Sequence, residues 1–269
     1  MKISMDFETR LREIFDQYFS SRPALLRDAC AYALFGNGKR IRPTLCFLTA
    51  DFCGIPQEKV VKLAAGIECI HNYSLIHDDL PGMDNDTYRR GQLTVHKKFG
   101  EAIAILAGDA LLNVAYEIFF DLVKDDPSFI DSCKLIASYS GSHGMIGGQA
   151  LEFVENDIDY DIYIEIAKKK TAGLISASIL SVALLSHDQI LISALSQFAL
   201  YLGMIFQITD DLLDKNTGEK SSLVTILGEE KSVKNLLTFV EKAKKSLSSF
   251  GDKSQNLLAI CNKIAIRTH

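Results

Sequence analysis

Two clusters of aspartates carry the most informative chemistry of this sequence: residues 78–84 read DDLPGMD, and residues 210–214 read DDLLD. Each cluster follows an apolar segment, so each pair of neighbouring carboxylates is expected at the end of a buried helix. Such a pair costs desolvation and self-repulsion unless a cation neutralises it. Two such pairs predict two halves of one multi-metal site. Oxygen ligands with no nearby Cys or His cluster favour Mg²⁺ over zinc.

The residues around each cluster form a polar stripe on an otherwise apolar helix. His71, Ser74 and Asp78 are spaced i, i+3, i+7, which places them on one helix face. A similar stripe precedes the end of the second cluster: Gln207, Asp210, Asp211 and Asp214. The alternative is a helix end that reaches solvent, where paired aspartates are common. Because two matching stripes occur in one chain, a wet cavity between helices is favoured.

The backbone at each cluster predicts which carboxylates can share an ion. Asp210 and Asp214 are separated by one helical turn and can hold one ion between them, whereas Asp211 points about 100° away. In the first cluster, the dipeptide at 81–82 is Pro-Gly, which disfavours a straight helical continuation. Asp84 is therefore expected to fold back toward Asp78 from a loop or a distorted turn.

Two basic residues, Arg89 and Arg90, follow the first cluster closely, and Lys39, Arg42 and Lys170 lie elsewhere in the sequence. Taken singly, each is more often a solvated surface residue. Carboxylates, Mg²⁺ and cationic side chains together describe a diphosphate site, because metals bridge carboxylate to phosphate and Arg or Lys neutralises the remaining oxygens.

Composition limits the function classes. The chain has 269 residues, is 48% hydrophobic and has a formal net charge of -5, so no basic surface for nucleic acid is expected. Its six cysteines form no CxxC pair and most lie in apolar helical patterns, as in a cytoplasmic protein with reduced thiols. The N-terminus lacks a signal-peptide pattern. The apolar region 174–209 is interrupted at 186–189, which predicts two buried helices and no membrane span.

Helical periodicity dominates, and no clear alternating strand runs occur, so we expect an all-α fold. No linker, low-complexity stretch or repeat divides the chain, which predicts a single domain over residues 1–269. The predicted helices cover residues 5–19, 23–35, 40–53, 57–80, 95–120, 129–154, 160–185, 189–214, 222–246 and 253–267.

Six motifs, in this order, carry a family resemblance: GNGKRIRP (36–43), ECIHNYSLIHDDLPGMDNDTYRRG (68–91), AGDALL (107–112), GGQALEF (147–153), KKT (169–171) and FQITDDLLD (206–214). With these motifs the chain resembles the trans-prenyltransferases, the isoprenyl diphosphate synthases, and is most similar to the bacterial farnesyl diphosphate synthases. The resemblance implies an all-α helical bundle around a central cavity, and a homodimer. Two Asp-rich motifs distinguish this family from class I terpene cyclases.

The resemblance also implies residue roles. Mg²⁺ would be bound by Asp78, Asp84 and Asp210, with support from Asp79, Asp211 and Asp214. The diphosphate of isopentenyl diphosphate would be held by Gly38, Lys39, Arg42, His71 and Arg90. The allylic diphosphate substrate would be contacted by Arg89, Lys170, Thr171, Gln207 and Lys220. The implied reaction is ionisation, condensation and elimination, in which Thr171, Gln207 and the Lys170 carbonyl stabilise the allylic cation.

Product length can be argued from the stripe that leads away from Asp78. Ser74 lies one turn deeper on nearly the same face, and Tyr73 lies just beyond it. A bulky residue there would form the floor of the cavity, and Tyr73 matches the aromatic residue of the farnesyl subgroup. We therefore expect farnesyl diphosphate from isopentenyl and dimethylallyl or geranyl diphosphate. The alternative product is geranylgeranyl diphosphate.

The sequence departs from the family pattern after the second cluster, where residues 215–220 replace a longer loop. Lys220 matches the second lysine of that loop, and Lys215 is a candidate for the first. The shortening is compatible with a more open lid, weaker allylic binding, or a lid supplied by the C-terminal residues 267–269. It is also the one feature that supports a weakly active or regulatory partner subunit. A carboxylate-bridged di-iron protein is disfavoured because Glu-x-x-His pairs are absent.

Overall fold

The computed structural model describes residues 5–155, 157–214 and 222–267. Within them the fold is all-α, as predicted. The α-helices are α1 (Met5–Phe19), α2 (Ala24–Leu34), α3 (Ile41–Cys53), α4 (Gln57–Asp78), α5 (Val95–Phe99), α6 (Glu101–Asp125), α7 (Ile130–Ser140), α8 (Met145–Val154), α9 (Tyr160–Lys170), α10 (Ala172–Ala183), α11 (Gln189–Leu213), α12 (Leu223–Leu227), α13 (Glu229–Ser246) and α14 (Gln255–Ala265). Two short strands, β1 (Tyr88–Arg89) and β2 (Gln92–Leu93), form an antiparallel hairpin.

The chain divides into two compact units. The first contains Met1–Thr44 and Gln57–Pro127, and the second contains Leu45–Pro56 and Ser128–His269. The prediction of a single domain over residues 1–269 stays a prediction.

In the first unit, the apolar face of α4 packs against α6. Both helices carry small and aliphatic buried residues at helical spacing, such as Leu63, Ile67 and Ile70 on α4 and Leu111 and Ile118 on α6. This packing fixes α4, whose C-terminal end carries the first aspartate cluster.

In the second unit, α10 is the central helix. All of its residues, Ala172–Ala183, are buried, and it packs against α7 and α11. A helix that is apolar on every side must lie in a core, so the predicted buried helix in this region is confirmed. Its N-terminus directly follows Thr171, and α11 carries the second aspartate cluster at its C-terminal end.

Several predicted helices are interrupted. The segments predicted as 95–120 and 222–246 break at Gly100 and Gly228, which have φ values of 87° and 83°. The segment 129–154 breaks after Ser140, and 160–185 breaks at Thr171. The helix predicted to reach residue 80 ends at Asp78. Positive φ is sterically cheap for glycine alone, which explains the first two breaks.

Two helices, α6 and α11, are long and apolar enough to cross a membrane by length and composition. Each also packs inside its own unit, against α4 and α10 respectively. The outer face of α6 carries the exposed polar residues Asp109 and Asn113 in mid-helix. Such groups are costly in hydrocarbon, so these helices do not argue for a membrane span.

Candidate active site

The first aspartate cluster forms where α4 ends. The backbone N–H of Asp84 donates to the carbonyl oxygen of Asp78 at 2.8 Å, and that of Met83 donates to Leu80 at 2.9 Å. The chain after Asp78 therefore turns back on itself, as the Pro-Gly dipeptide at 81–82 predicted. Asp84 is exposed and Asp78 is half-buried.

Asp79 has a different environment from its neighbours. Its side chain is 3% exposed, and its Oδ1 atom accepts a hydrogen bond of 2.5 Å from Nε of Arg89. Arg89 also donates to Asp86 at 3.1 Å. Burial raises the pKa of Asp79, while the Arg89 guanidinium opposes that rise. Asp79 and Arg89 thus form a partly buried ion pair beside the cluster.

The β1–β2 hairpin carries Arg90 at its turn. Arg90 and Gly91 have φ values of 53° and 77°, which is the left-handed pair that a two-residue hairpin of type I′ requires. The Nη2 atom of Arg90 lies 3.4 Å from Nε2 of His71 on α4. A Cβ atom at Gly38 would lie 2.9 Å from Nη1 of Arg90 and 3.0 Å from Nη1 of Arg40. Glycine at position 38 therefore leaves room for two guanidinium groups.

Two arginines, Arg42 and Arg90, lie close to His71 in the first unit, and these three residues are called the cationic cluster. Burial, followed by the charges of Arg42 and Arg90, lowers the pKa of His71 well below its usual value. Burial also lowers the pKa of Arg42 to about 10, and its Nε atom is buried without a hydrogen-bond partner. A bound anion would relieve both penalties.

Arg40 lies close to this cluster and is held in place by hydrogen bonds. It is 6% exposed and donates to Glu68 at 2.8 Å, to Glu8 at 2.6 Å and to the Leu34 carbonyl at 2.7 Å. Glu68 was not singled out from the sequence, although a glutamate inside the apolar run of α4 is a signal for a buried ion pair. Lys39, which was predicted to bind diphosphate, has an exposed side chain.

In the second unit, the three aspartates of the second cluster have different partners. Asp210 is paired with the guanidinium of Arg267, which also lies 4.9 Å from the centroid of the Phe206 ring. Asp211 is 4% exposed and fully engaged in hydrogen bonds within the protein. Asp214 caps the C-terminal end of α11 and is exposed.

Thr171 and Gln207 are brought together by a close helix crossing. A Cβ atom at Gly203 would contact the side chain and backbone of Ala172, so glycine lets α11 approach α10 closely. One turn further along α11, Oε1 of Gln207 accepts a hydrogen bond of 2.5 Å from Oγ1 of Thr171. The neighbouring Lys170 is ion-paired with Glu152 of α8.

Tyr73 and Ser74 occupy the predicted positions on α4. Tyr73 is 5% exposed, its hydroxyl is buried without a hydrogen-bond partner, and its ring meets that of His77 edge-on at 5.8 Å. Ser74 donates to the His71 carbonyl at 2.9 Å, so its hydroxyl is bonded to its own helix.

Comparison with known proteins identifies the family. The sequence matches polyprenyl synthetase over residues 23–229. The chain belongs to the polyprenyl synthetase family. It is 35% identical to the farnesyl diphosphate synthase of Micrococcus luteus, with 96% of each chain covered. It is 36% identical to the geranylgeranyl diphosphate synthase of Cyanophora paradoxa, with 92% of this chain and 89% of that protein covered.

Comparison with solved structures supports the same family. The crystal structure of an FPP/GFPP synthase from Zymomonas mobilis in its apo form matches with a TM-score of 0.86 at 32% identity, over 97% of this chain and 99% of that one. The family predicted from the motifs and the all-α polyprenyl synthetase fold are therefore confirmed.

Two predictions about the polyprenyl synthetase site are outside what the structure describes. Lys220 and Lys215 both lie outside the described residues. Across residues 5–155, 157–214 and 222–267, no group of three or more His, Cys, Asp or Glu side chains is arranged to hold a metal by itself. That the two clusters form halves of one site stays a prediction.

Proposed function

We propose that this protein is a trans-prenyltransferase that condenses isopentenyl diphosphate with an allylic diphosphate. The observation that carries the proposal is the cationic cluster of Arg42, His71 and Arg90, whose charge is poorly compensated, beside a helix end that carries Asp78. Cations that suit diphosphate oxygens and carboxylates that suit a metal–diphosphate complex are the two components this reaction needs.

The cationic cluster would hold the diphosphate of isopentenyl diphosphate, together with Lys39. Gly38 leaves space for the guanidiniums of Arg40 and Arg90, and Arg40 is held in place by Glu8 and Glu68. A neutral His71, as its lowered pKa implies, would donate a hydrogen bond to a phosphate oxygen without the cost of a further buried charge.

The donor set fits Mg²⁺. Magnesium in proteins is bound by one or two carboxylates, with water and substrate phosphate oxygens completing the octahedron, so a three-residue protein cage is not required. Asp78, Asp84, Asp210 and Asp214 would supply those carboxylates. Asp79, which is paired with Arg89, would act as support. When bound, Mg²⁺ would supply positive charge that stabilises the departing diphosphate.

The chemical step requires no general acid or base from the protein. The bond between the allylic carbon and its diphosphate oxygen breaks, the double bond of isopentenyl diphosphate forms the new carbon–carbon bond, and a proton passes to the released diphosphate. Arg89 and Lys170 would neutralise that diphosphate, as would Lys220, which lies outside the described residues. The oxygens of Thr171 and Gln207 would face the developing cation.

Farnesyl diphosphate is the proposed product because of Tyr73. Its bulk and its buried position on α4 suit the floor of a chain cavity. Relatives named for both farnesyl and geranylgeranyl diphosphate match this chain at similar identity, so product length has to rest on this residue. Tyr73 carries that proposal because the side chain of Ser74 is small and is bonded to its own helix.

A cytoplasmic homodimer is the proposed form of the enzyme. Helix α6 exposes the large apolar residues Leu106 and Phe120, and Phe120 is 72% exposed. Large apolar side chains that are exposed together on one helix are typical of a protein–protein interface.

The experiment is a mass-spectrometric product assay with the purified protein, isopentenyl diphosphate, dimethylallyl diphosphate and Mg²⁺. We expect a fifteen-carbon diphosphate, with activity abolished by EDTA and restored by Mg²⁺. A pure protein that performs no condensation would overturn the proposal and favour a regulatory partner subunit. A twenty-carbon product would leave the reaction intact and overturn the assignment of Tyr73.

A further inference from the structure

The Asp211 side chain has a hydrogen-bond environment unlike that of a metal ligand. Its Oδ2 atom accepts from the hydroxyl of Tyr163 at 2.8 Å and from the backbone N–H of Leu223 at 2.6 Å. Its Oδ1 atom accepts from Nε2 of Gln207 at 2.8 Å. Three donors of the protein therefore hold both oxygens of this buried carboxylate.

These contacts fix the direction of the Gln207 amide. Because its NH₂ group donates to Asp211, its Oε1 atom must point the other way, where it accepts from Thr171 at 2.5 Å. An ionised carboxylate can only accept hydrogen bonds. Asp211 therefore excludes the flipped amide, which would place two oxygens against each other.

Tyr163 was not predicted as a site residue, and the structure gives it a defined part in this chain of contacts. It is buried on α9, and its hydroxyl donates to Oδ2 of Asp211. With Leu223 on the same oxygen, Tyr163 fixes the rotation of the carboxylate, so that Oδ1 faces Gln207. The order of donation is Tyr163 to Asp211, Gln207 to Asp211, and Thr171 to Gln207.

We propose that Asp211 and Tyr163 are positioning residues that set the polarity of the Gln207 amide, so that oxygen atoms of Gln207 and Thr171 face the allylic cation. Asp211 is then not a metal ligand, although it is adjacent to Asp210 in the second aspartate cluster. The inference rests on the proposed prenyltransferase function. An amide in the opposite orientation would present an N–H dipole to a developing positive charge and would oppose ionisation.

The first experiment is the substitution Asp211→Asn. The asparagine oxygen keeps the contacts with Tyr163 and Leu223, so its NH₂ group faces the NH₂ group of Gln207. Two donors cannot share this contact, and Gln207 must rotate its amide. We expect kcat to fall on the order of 100-fold, as for loss of one preorganised dipole. The KM for isopentenyl diphosphate should remain unchanged, because Asp211 and Gln207 are not among the residues proposed to hold that substrate.

The second experiment is the double variant Asp211→Asn with Gln207→Glu, which keeps the total charge. A glutamate has oxygen on both sides, so it can accept from the introduced asparagine amide and still accept from Thr171. We expect the double variant to recover at least about tenfold in kcat over Asp211→Asn, whereas Gln207→Glu alone places two carboxylates in contact and stays impaired. No recovery would overturn the polarity argument.

A metal-binding readout separates this role from metal ligation. Mn²⁺ binding, followed by electron paramagnetic resonance with inorganic diphosphate present, should weaken in Asp210→Asn and be retained in Asp211→Asn. Equal weakening in both variants would overturn the inference. An inactive wild-type protein would instead overturn the proposed function, so the two failures are distinguishable.

Tyr163→Phe tests the outer residue and remains informative if Asp211→Asn does not fold. It removes one hydroxyl and leaves two donors on Asp211. We expect kcat to fall about 3- to 10-fold, the scale of one typical intramolecular hydrogen bond, with Mn²⁺ affinity and both KM values retained. Wild-type kcat in this variant, measured well below its unfolding temperature, would overturn the role of Tyr163.

Discussion

The Nη2 atom of Arg90 lies 3.4 Å from the Nε2 atom of His71, so a permanent cation directly faces an imidazole nitrogen. An arginine can only donate in this contact, which requires Nε2 of His71 to be the acceptor. Burial and the neighbouring arginines keep the histidine neutral by lowering its pKa.

A dependence of stability on pH follows from this neutral histidine. An unfolded histidine titrates near pH 6.5, whereas the pKa of folded His71 is well below that value. As the pH falls below about 6.5, the unfolded state binds the proton first, and the folded state loses stability. The values pH 7.5 and pH 5.5 lie about one unit above and below the pKa of unfolded histidine. Between them, wild type should therefore lose more stability than His71→Gln.

Urea unfolding at the two pH values measures this difference. His143→Gln, which removes an exposed histidine of the second unit, is the control for loss of a histidine in general. Equal loss of stability in wild type and His71→Gln would contradict the lowered pKa of His71.

The helices and the aspartate clusters were predictable because their signals are local. Apolar periodicity and the Pro-Gly dipeptide at 81–82 act over a few residues, and the structure has the turn that brings the backbone of Asp84 to Asp78. The interruption at Thr171 has no such local signal. It arises where Thr171 is engaged by Gln207 from another helix.

Partners that come from distant segments were missed. Arg40 and Glu68 are 28 residues apart and form a buried ion pair, and Tyr163 and Asp211 are 48 residues apart. No local pattern specifies which acid meets which donor, because that choice is made by helix packing. A polar residue in an apolar run signals that a partner exists and leaves the partner unidentified.

Tyr73 should determine the length of the product. Its hydroxyl has no hydrogen-bond partner, so Tyr73→Phe keeps the bulk of the ring and removes no hydrogen bond. We expect Tyr73→Phe to retain a fifteen-carbon product, whereas Tyr73→Ala opens the floor and yields longer chains from the same substrates. Liquid chromatography with mass spectrometry of the dephosphorylated alcohols measures the distribution. Identical profiles for the two variants would exclude Tyr73 as the floor.

Gly203 should be required for the close crossing of α10 and α11. Alanine is favoured over glycine by about 1 kcal/mol inside a helix, but the added Cβ atom would contact Ala172 directly. Overpacking of this kind costs about 1–3 kcal/mol, so we expect Gly203→Ala to lower the free energy of unfolding. Because Gln207 lies one turn further along, kcat should fall as well.

Urea unfolding and steady-state kinetics measure the two effects of Gly203→Ala. Gly82→Ala is the stability control, since a Cβ atom there would meet nothing within 4 Å. A Gly203→Ala protein that is more stable than wild type would show that helix propensity outweighs the clash.

Arg267 should compete with a metal ion for Asp210. The two side chains are ion-paired, and the guanidinium also packs over the Phe206 ring at 4.9 Å from its centroid. A cation that binds Asp210 must first displace this arginine. We expect Arg267→Gln to tighten Mn²⁺ binding about fivefold, since partly exposed ion pairs contribute up to about 1 kcal/mol. Titration of free Mn²⁺ by electron paramagnetic resonance measures the affinity directly.

Lys244→Gln is the matched control, because it removes one positive charge from an exposed pair with Glu241 in the same unit. Its Mn²⁺ affinity should follow wild type, so a change confined to Arg267→Gln would be local to Asp210. If Arg267→Gln weakens Mn²⁺ binding, then Arg267 assists the metal site through another contact and does not block it. Equal affinities in all three proteins would mean that the ion pair opens at no measurable cost.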